Sequence, residues 1–334
     1  GFGTLLVNLP LSSALDQMAG TEMVEGALSM LFRLGIATEI LPLLILIAVG
    51  AMCDFGPLLA NPKVFLFGLA AQMGIFLTMG IALLLGFNVY EAASIGIIGA
   101  ADGPTSIYVS TRFAPHLLGP ISVAAYTYMA LVPMIQPPVI LAITSEKERR
   151  MRMPAPTRTV TKRARIIFPI AVTMLGGIIA PASVSLLGFV MFGNLLRESG
   201  VTERLSQAAQ NELANIVTIL LGFSIAATMT GEKFVNVSTM IIIAMGLVAF
   251  VLDTAGGVMT AKVLNLFLPE GKKINPMVGA AGISAFPMSA RTIQKLGQKA
   301  DPSNHLLMHA VGANVAGQIG SVLAGGVLLA YLGG

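Results

Sequence analysis

An acidic side chain stands inside an apolar stretch of the sequence, immediately before a Gly-Pro pair. The run GIIGAADGPTSIYVS places Asp102 next to Gly103 and Pro104. An ionisable group in an apolar span costs several kcal/mol unless it is paired or coordinated, and Pro104 interrupts a helix and frees backbone carbonyls. Asp102 is therefore predicted to be a hard-oxygen ligand of a cation. The alternative is a short loop that returns to the surface, in which Asp102 is an ordinary N-cap.

A second interrupted segment, NPMVGAAGISAFPMSAR, covers residues 275–291. Gly279, Gly282 and Pro287 break it into pieces too short for a plain membrane span. It carries oxygen-bearing side chains and one fixed positive charge, at Asn275, Ser284, Ser289 and Arg291. Two interrupted segments in one membrane protein are typical of a transport site built from discontinuous helices.

The last apolar stretch adds the run GANVAGQIGS. Its Asn314, Gln318 and Ser321 recur at helical spacing, so they are expected on one side of a helix. They either contribute ligands to the same site or form a packing interface in which Asn314 bonds a neighbouring helix.

Three further polar residues interrupt apolar runs. Tyr126 and Tyr128 lie inside one run, and a position in the interfacial aromatic belt is the ordinary explanation for them. Asp253, in LVAFVLDTAGG, is a second carboxylate inside the predicted membrane region. It either lines a pathway or caps the glycine break that follows it.

The composition identifies the solvent of this chain as lipid. Of its 334 residues 55% are hydrophobic and only 11% charged, and the mean hydropathy is +0.83. These values exclude an ordinary soluble globular domain. The single Cys53 excludes an internal disulfide and a Cys-based zinc site, and no phosphate-binding loop, histidine cluster or nucleophile elbow is present.

The positive charge is concentrated in one loop, residues 144–165, rather than spread over a face that could bind nucleic acid. Only Glu146 and Glu148 oppose its eight basic residues, which are Lys147, Arg149, Arg150, Arg152, Arg158, Lys162, Arg163 and Arg165. The positive-inside rule predicts that this loop is cytoplasmic. Contact of the loop with acidic lipid or with a partner protein is an additional possibility.

Stretches of about 20 apolar residues predict the membrane helices. We expect them at residues 39–53, 64–87, 92–110, 117–143, 166–196 (broken near Pro181), 213–229, 239–268, 277–293 and 305–332. Residues 22–33 form an amphipathic pattern typical of a segment that lies along the interface. Residues 197–211 are expected to be a polar connector.

Two pairs of stretches resemble each other, which predicts an internal duplication. LPLLILIAVGAMCDFGPLLANPKVFLFG is echoed by NIVTILLGFSIAATMTGEKFVNVSTMIIIAMG, and GAADGPTS is echoed by GAAGISAFPMS. The predicted fold is an all-α, polytopic integral membrane protein with two inverted-topology repeats whose broken helices meet at mid-membrane. The expected parts are an N-terminal interfacial segment 1–37, a first repeat 38–143, the basic loop 144–165, a broken connecting segment and linker 166–211, and a second repeat 212–334.

Long runs of the sequence closely resemble the β subunit of the sodium-pumping, biotin-dependent decarboxylases of oxaloacetate, methylmalonyl-CoA and glutaconyl-CoA. The matching runs extend from about Thr38 to the end, and include DFGPLLANPK, AAYTYMALVPMIQPP, TSEKERRMRM, FGNLLRESGV and LLMHAVGANVAGQIGSVLAGG besides the two interrupted segments. The resemblance implies decarboxylation of carboxybiotin with proton uptake, coupled to sodium export through the bacterial inner membrane. Biotin would be carried by a partner subunit and not attached to this chain.

The resemblance also implies roles for individual residues. Sodium ligands fall on Asp102, Asn275, Gly279, Ser284 and Asn314, an important tyrosine on Tyr128, and the arginine of the second segment on Arg291. Carboxybiotin is an anionic N-carboxylate, so Arg291 suits its binding, with Ser284 beside it. Tyr128, or a water relay ending at Asp102, would supply the proton.

The expected partners are a biotin-carrier and carboxyltransferase subunit, a small membrane subunit, the lipid bilayer and further copies of this chain. A different class of protein shares much of this pattern. A secondary transporter with the same repeats could exchange sodium for protons, or carry an organic anion, without catalysis. A purely structural membrane scaffold would not account for two broken polar segments.

Overall fold

The computed structural model describes residues 1–9, 13–19, 22–154 and 159–333, so Arg158 of the basic loop lies outside the described residues. The described part of the chain is mostly helical. Its two short strands, β1 (Gln17–Ala19) and β2 (Glu22–Val24), pair antiparallel near the N-terminus. The predicted all-α membrane fold is thus confirmed, whereas the internal duplication stays a prediction.

Ten α-helices lie among the described residues up to Arg149. They are α1 (Phe2–Asn8), α2 (Ala27–Phe32), α3 (Ile40–Met52), α4 (Gly56–Ala60), α5 (Phe65–Ala71), α6 (Met73–Leu84), α7 (Val89–Gly96), α8 (Gly103–Phe113), α9 (Leu118–Ile143) and α10 (Glu146–Arg149). A π-helical turn, Arg33–Ala37, follows α2, and 3₁₀ turns at Pro62–Val64, Ile97–Ala100 and Pro115–Leu117 join others.

Residues 159–333 contain nine more. They are α11 (Lys162–Ile179), α12 (Val184–Glu198), α13 (Glu203–Ala208), α14 (Ala214–Ala226), α15 (Gly231–Phe234), α16 (Val237–Phe267), α17 (Met277–Ala280), α18 (Met288–Ala300) and α19 (Leu307–Leu332). A 3₁₀ turn, Pro181–Ser183, separates α11 from α12 at the predicted break, and a π-helical turn, Ala209–Leu213, precedes α14.

Four helices within the described residues are long and apolar enough to cross a membrane. They are Pro62–Leu84, Pro115–Ile143, Val237–Phe267 and Leu307–Leu332, and the pair Ala27–Ala37 with Ile40–Met52, bent by 59°, would make a fifth. The chain is therefore an integral membrane protein. The other five of the nine predicted segments are bent, broken or short helices, because Gly, Pro and polar residues interrupt them.

One expectation about local structure needs correction. Residues 22–33 do not form one amphipathic segment, because Glu22–Val24 is a strand and the helix begins only at Ala27. The polar connector of residues 197–211 is mostly helical. The expected helix over residues 64–87 is part of the long helix Pro62–Leu84, with a break of one residue at Gln72, whose side-chain amide donates to the carbonyls of Gly68 (2.9 Å) and Gly282 (3.3 Å).

The second interrupted segment is packed between α16 and α19 by contacts of backbone on backbone. A Cβ added at Gly279 would lie 2.0 Å from the carbonyl oxygen of Gly257 in α16. A Cβ added at Gly317 in α19 would lie 2.0 Å from the carbonyl oxygen of Gly282. Such distances are far below van der Waals contact, so these glycines allow the helices to approach as small residues do in membrane proteins.

Candidate functional site

The first interrupted segment places Asp102 in a buried position at the start of α8. The backbone leaves the helix at Ala101, which is left-handed with φ of 53°, and Asp102 is the N-cap of α8. Asp102 is only 4% exposed. It is therefore an N-cap, as the alternative supposed, but in a buried break within the bundle rather than in a surface loop.

One oxygen of this carboxylate is well satisfied and the other is not. Oδ2 accepts hydrogen bonds from Thr105 Oγ1 (2.7 Å), Gln318 Nε2 (2.9 Å) and Ser321 Oγ (3.0 Å). From the part of the chain that the structure describes, Oδ1 accepts only a long bond, 3.5 Å, from the backbone nitrogen of Thr105. Because the donors collect on Oδ2, Oδ1 keeps the capacity to bind a cation.

The two interrupted segments meet next to Asp102. The carbonyl oxygen of Ala100 accepts hydrogen bonds from the backbone nitrogen of Ser284 (3.1 Å) and from its hydroxyl (2.5 Å). Both residues are buried. The predicted meeting of the two polar segments is thus a direct contact, although the Ser284 hydroxyl is occupied by the first segment.

Asn314 of α19 completes this junction. Its Nδ2 donates to the carbonyl oxygen of Ile283 at 2.6 Å, whereas its Oδ1 is buried and has no hydrogen-bond partner among the described residues. A buried acceptor without a partner costs free energy unless a further group occupies it. A hard cation prefers oxygen ligands of this kind. Asp102 Oδ1 and Asn314 Oδ1 are oxygens of this chemical kind.

Asn275 lies at a different point of the second segment. Its Nδ2 donates to the carbonyl oxygens of Arg149 (3.0 Å) and Met151 (2.8 Å), and its Oδ1 accepts the backbone N–H of Met277. Asn304 donates to the same two carbonyls. Both asparagines thus hold the basic loop against the second half of the chain. Of the predicted ligands, Asn275 and Gly279 are not hydrogen-bonded to the Asp102 junction.

An ion pair secures the same loop. Arg152 Nε lies 2.6 Å from Asp301 Oδ2, and a second guanidinium nitrogen lies 3.0 Å from Oδ1. This bidentate arrangement is the geometry that arginine and carboxylate prefer. The hydrogen bonds from Arg152 hold the pKa of Asp301 below its ordinary value.

Tyr128 is bonded to α16 rather than to the carboxylate. Its hydroxyl donates to the carbonyl oxygen of Ile243 at 2.5 Å, and its ring packs on Gly246. The tyrosine that lies beside the Asp102 break is Tyr126, whose ring covers Gly103 so closely that a Cβ there would be 2.6 Å from the ring. Tyr128 makes no hydrogen bond with Asp102 or Arg291 in the described part of the chain.

Arg291 lies apart from the buried junction, on the exposed face of α18. That face also carries Lys295, Gln298 and Lys299, while Ile293 and Leu296 are buried on the other side. Within the described residues the Arg291 guanidinium has no hydrogen bond or ion pair. A face of this polarity is unsuited to lipid, so it is expected to face water or a polar partner.

Gln318 and Ser321, which the sequence offers either as members of the site or as part of a packing interface, donate hydrogen bonds directly to Asp102. Thr105 and Tyr126 are not among the predicted site residues. Thr105 has a signal in the sequence, because a hydroxyl three residues after an N-cap can reach it. Tyr126 has none, since its contact with Gly103 is made between separate helices.

The apolar helices and the buried polar junction of two interrupted segments define a polytopic membrane protein of the ion-translocating class. The chain belongs to the family described as the Na⁺-transporting oxaloacetate decarboxylase beta subunit, which matches residues 1–332. The match includes the residues before Thr38, which the resembling runs did not reach. The decarboxylase assignment is favoured over a transporter without catalysis.

The chain is similar over nearly its whole length to curated β subunits. It is 53% identical to the methylmalonyl-CoA decarboxylase subunit beta of Veillonella parvula over 331 residues, 99% of this chain and 85% of the relative. It is 51% identical to the glutaconyl-CoA decarboxylase subunit beta of Acidaminococcus fermentans over 333 residues, covering 100% and 86%. It is 53% identical to the oxaloacetate decarboxylase beta chain 2 of Salmonella typhi over 313 residues, covering 92% and 72%.

Proposed function

We propose that this chain decarboxylates carboxybiotin, with uptake of one proton, and couples that reaction to the export of sodium. Carboxybiotin is delivered on a biotin-carrier subunit, and biotin is not bound covalently to this chain. The family is a sodium-transporting decarboxylase family, which supports the proposal. Its relatives with different acyl-CoA or keto-acid names share 51–53% identity with this chain, so a chemical step common to all of them suits this subunit.

The observation that supports sodium binding is a pair of oxygens in the buried junction that accept few or no hydrogen bonds from the described residues. From the described residues, Asp102 Oδ1 accepts one long hydrogen bond and Asn314 Oδ1 accepts none. We assign both as sodium ligands. Ser284 shapes the junction through Ala100, and Gly279 and Asn275 hold the second segment in place against α16 and the basic loop.

In the decarboxylation step, Arg291 is assigned to bind the substrate. Its guanidinium lies on the exposed face of α18, has no partner among the described residues, and can hold the carboxylate of carboxybiotin with two parallel hydrogen bonds. In the reaction the bond between the ring nitrogen and the carboxylate carbon breaks, its electron pair stays on nitrogen, and nitrogen takes up a proton as CO₂ leaves. Tyr128, or a water relay ending at Asp102, passes on that proton to the substrate, while Ser284, buried and bonded to Ala100, is left to shape the junction.

The proposed orientation rests on the basic loop. Its eight basic residues against two acidic ones support a position of residues 144–165 on the cytoplasmic side of the bacterial inner membrane. The α18 face is joined to that side by the Arg152–Asp301 pair, so it is accessible to a carrier subunit from the cytoplasm. A biotin-carrier and carboxyltransferase subunit, a small membrane subunit and further copies of this chain complete the assembly.

The test of the sodium site is Asp102→Asn. Removing the charge from Oδ1 while keeping the side-chain shape should abolish sodium-dependent decarboxylation by the assembled complex. It should also abolish the greater protection against heat that sodium gives over potassium in the detergent-solubilised protein. Protection by sodium that is unchanged in Asp102→Asn would remove Asp102 from the site.

A further inference from the structure

A second carboxylate is buried in a membrane-spanning helix, away from the Asp102 junction. Asp253 lies near the middle of α16 and is 0% exposed. In the described part of the chain it forms no ion pair, and neither of its oxygens makes a hydrogen bond of ordinary geometry. An uncompensated charge in such a place is costly, so buried membrane carboxylates are commonly functional.

The surroundings of Asp253 are built from the backbone of two glycines. A Cβ added at Gly74 would lie 2.1 Å from Oδ1, and one added at Gly99 would lie 2.3 Å from Oδ2. No other residue type fits at these two positions without displacing the carboxyl group. The carboxyl therefore fills a space between α6 and the 3₁₀ turn Ile97–Ala100.

The groups that face these oxygens are mainly donors rather than ligands for a metal ion. The backbone N–H groups of Gly74 and Ile75 point toward the carboxyl group from the first turn of α6, directly after the break at Gln72. The amino end of a helix provides a partial positive charge of about one half, so a full negative charge is not balanced there. A sodium ion needs several oxygen ligands, whereas a proton needs one.

Few titratable groups accompany Asp253. Helices α5, α6 and α17 and the turn Ile97–Ala100 contain none, and those of α7, Tyr90 and Glu91, lie in its first turn. Helix α9 contributes Tyr126, whose ring covers Gly103 in α8, and Tyr128, whose ring packs on Gly246, about two helical turns before Asp253 in α16. No basic side chain from these elements is available to neutralise the carboxylate.

We propose that Asp253 binds a proton and gives the chain a second intramembrane cation site beside the sodium site at Asp102. This inference rests on the proposed function, in which proton uptake accompanies sodium export. When the segment Ile97–Ala100 moves away from Asp253, the carboxyl group releases its proton to water and becomes a carboxylate. When the segment returns, the carboxylate takes up a proton. Gly99 touches Asp253 and leads within three residues to Asp102, so a displacement of this segment affects both sites.

The test compares Asp253→Asn with the neighbouring control Thr254→Val in the complete complex. Thr254 is equally buried and its hydroxyl has no hydrogen-bond partner within the described residues, but it has no ionisable group. With sodium saturating and Asp102 ionised, wild type and Thr254→Val should show an infrared carbonyl band of a buried protonated carboxyl group that Asp253→Asn lacks. In proteoliposomes, Asp253→Asn should lose proton uptake coupled to sodium export, while sodium affinity by calorimetry changes by less than about threefold, roughly 0.7 kcal/mol.

Two results would overturn the proposal. The first is an unchanged band, or unchanged proton coupling, in Asp253→Asn, which would leave Asp253 as a cap for α6. The second is absence of the band from the wild-type complex, a measurement that decides the question even if the variant does not assemble. Sodium binding that persists in Asp102→Asn would instead contradict the proposed function, independently of the Asp253 band.

Discussion

Ser284 donates both its backbone N–H and its hydroxyl to the carbonyl oxygen of Ala100, at 3.1 and 2.5 Å. A single oxygen thus joins two segments that are far apart in sequence. Asp102 follows Ala100 by two residues, and Ile283, which accepts from Asn314, precedes Ser284. Movement of either segment therefore changes the distance between the two oxygens assigned to sodium.

Replacing Asn314 by alanine should weaken sodium binding. The change removes the uncommitted Oδ1 and the hydrogen bond to Ile283, so the sodium concentration for half-maximal decarboxylation should rise about tenfold or more, equivalent to roughly 1.4 kcal/mol. Asn194→Ala is a matched control. Asn194 is also buried, donates to a backbone carbonyl (that of Cys53, 3.0 Å) and has an Oδ1 without a partner, but it is in α12. Equal effects of the two variants on sodium dependence would refute the assignment of Asn314.

Arg291→Lys should separate catalysis from sodium binding. Lysine keeps the charge but cannot make the two parallel hydrogen bonds by which a planar guanidinium binds a carboxylate. The assembled complex should therefore lose most of its turnover of free carboxybiotin. Sodium binding by calorimetry should change by less than about tenfold. Lys295→Arg, one turn further along the same face, should retain turnover. The division of roles would be wrong if Arg291→Lys chiefly weakened sodium binding and left turnover intact.

Asn275→Ala should raise the sodium concentration needed for half-maximal rate by an indirect route. Asn275 holds the carbonyls of Arg149 and Met151, so its loss should loosen the basic loop and the second segment together. Faster trypsin cleavage of the loop should accompany this rise in the sodium concentration for half-maximal rate. Asn304→Ala removes bonds to the same carbonyls without touching the second segment, and should loosen the loop alone. A higher sodium concentration for half-maximal rate without faster trypsin cleavage would argue that Asn275 binds sodium directly.

The basic loop should be labelled only from the cytoplasmic side. Thr157, at its centre, lies outside the described residues, so exposed Lys147 is the better position for a cysteine. In a Cys53→Ala background, Lys147→Cys should react with an impermeant maleimide in inverted vesicles and not in intact cells. Ser238→Cys, exposed beside the start of α16 at the opposite end of the bundle, should show the reverse pattern. Labelling of Lys147→Cys in intact cells would reverse the whole topology.

Attachment of the loop should weaken in acid. The Arg152 hydrogen bonds depress the pKa of Asp301, so the pair stabilises the folded loop above the ordinary value of 3.8. That contribution is lost as the pH falls through the lower, folded value. Hydrogen exchange of residues 149–154, corrected for intrinsic rates, should show a loss of protection below about pH 4. Asp301→Asn should show weaker protection at neutral pH and no such transition; an identical transition in this variant would assign it to another carboxyl group.

The local breaks were predictable from the sequence because their causes are local. Gly103 and Pro104 follow Asp102 directly, and Pro181 interrupts its own segment, so composition alone marks both positions. The break at Gln72 has no such mark, because no proline stands in the run. Its amide bonds the carbonyl of Gly282, 210 residues away, and only the folded chain brings these groups together.

The candidate site was also predictable only in part. Asp102, Ser284 and Asn314 are polar residues in apolar runs, and the structure brings them to one junction. Asn275 is a polar residue of the same kind, yet its amide donates to the basic loop. Polarity in an apolar run thus indicates that a side chain has a specific partner, but the identity of that partner depends on packing between distant elements.

The glycine contacts of the second segment have a mechanical consequence. Gly279 packs on Gly257 of α16, and Gly282 packs on Gly317 of α19, with the two backbones of each pair in direct contact. Flexible side chains, which could take up a displacement by changing rotamer, are absent from these contacts. The segment therefore cannot swing as a local flap while both long helices stay still, because close-packed interiors transmit strain. Opening the junction to the other side of the membrane requires the segment to travel with these helices as a rigid body, or to slide along them in register.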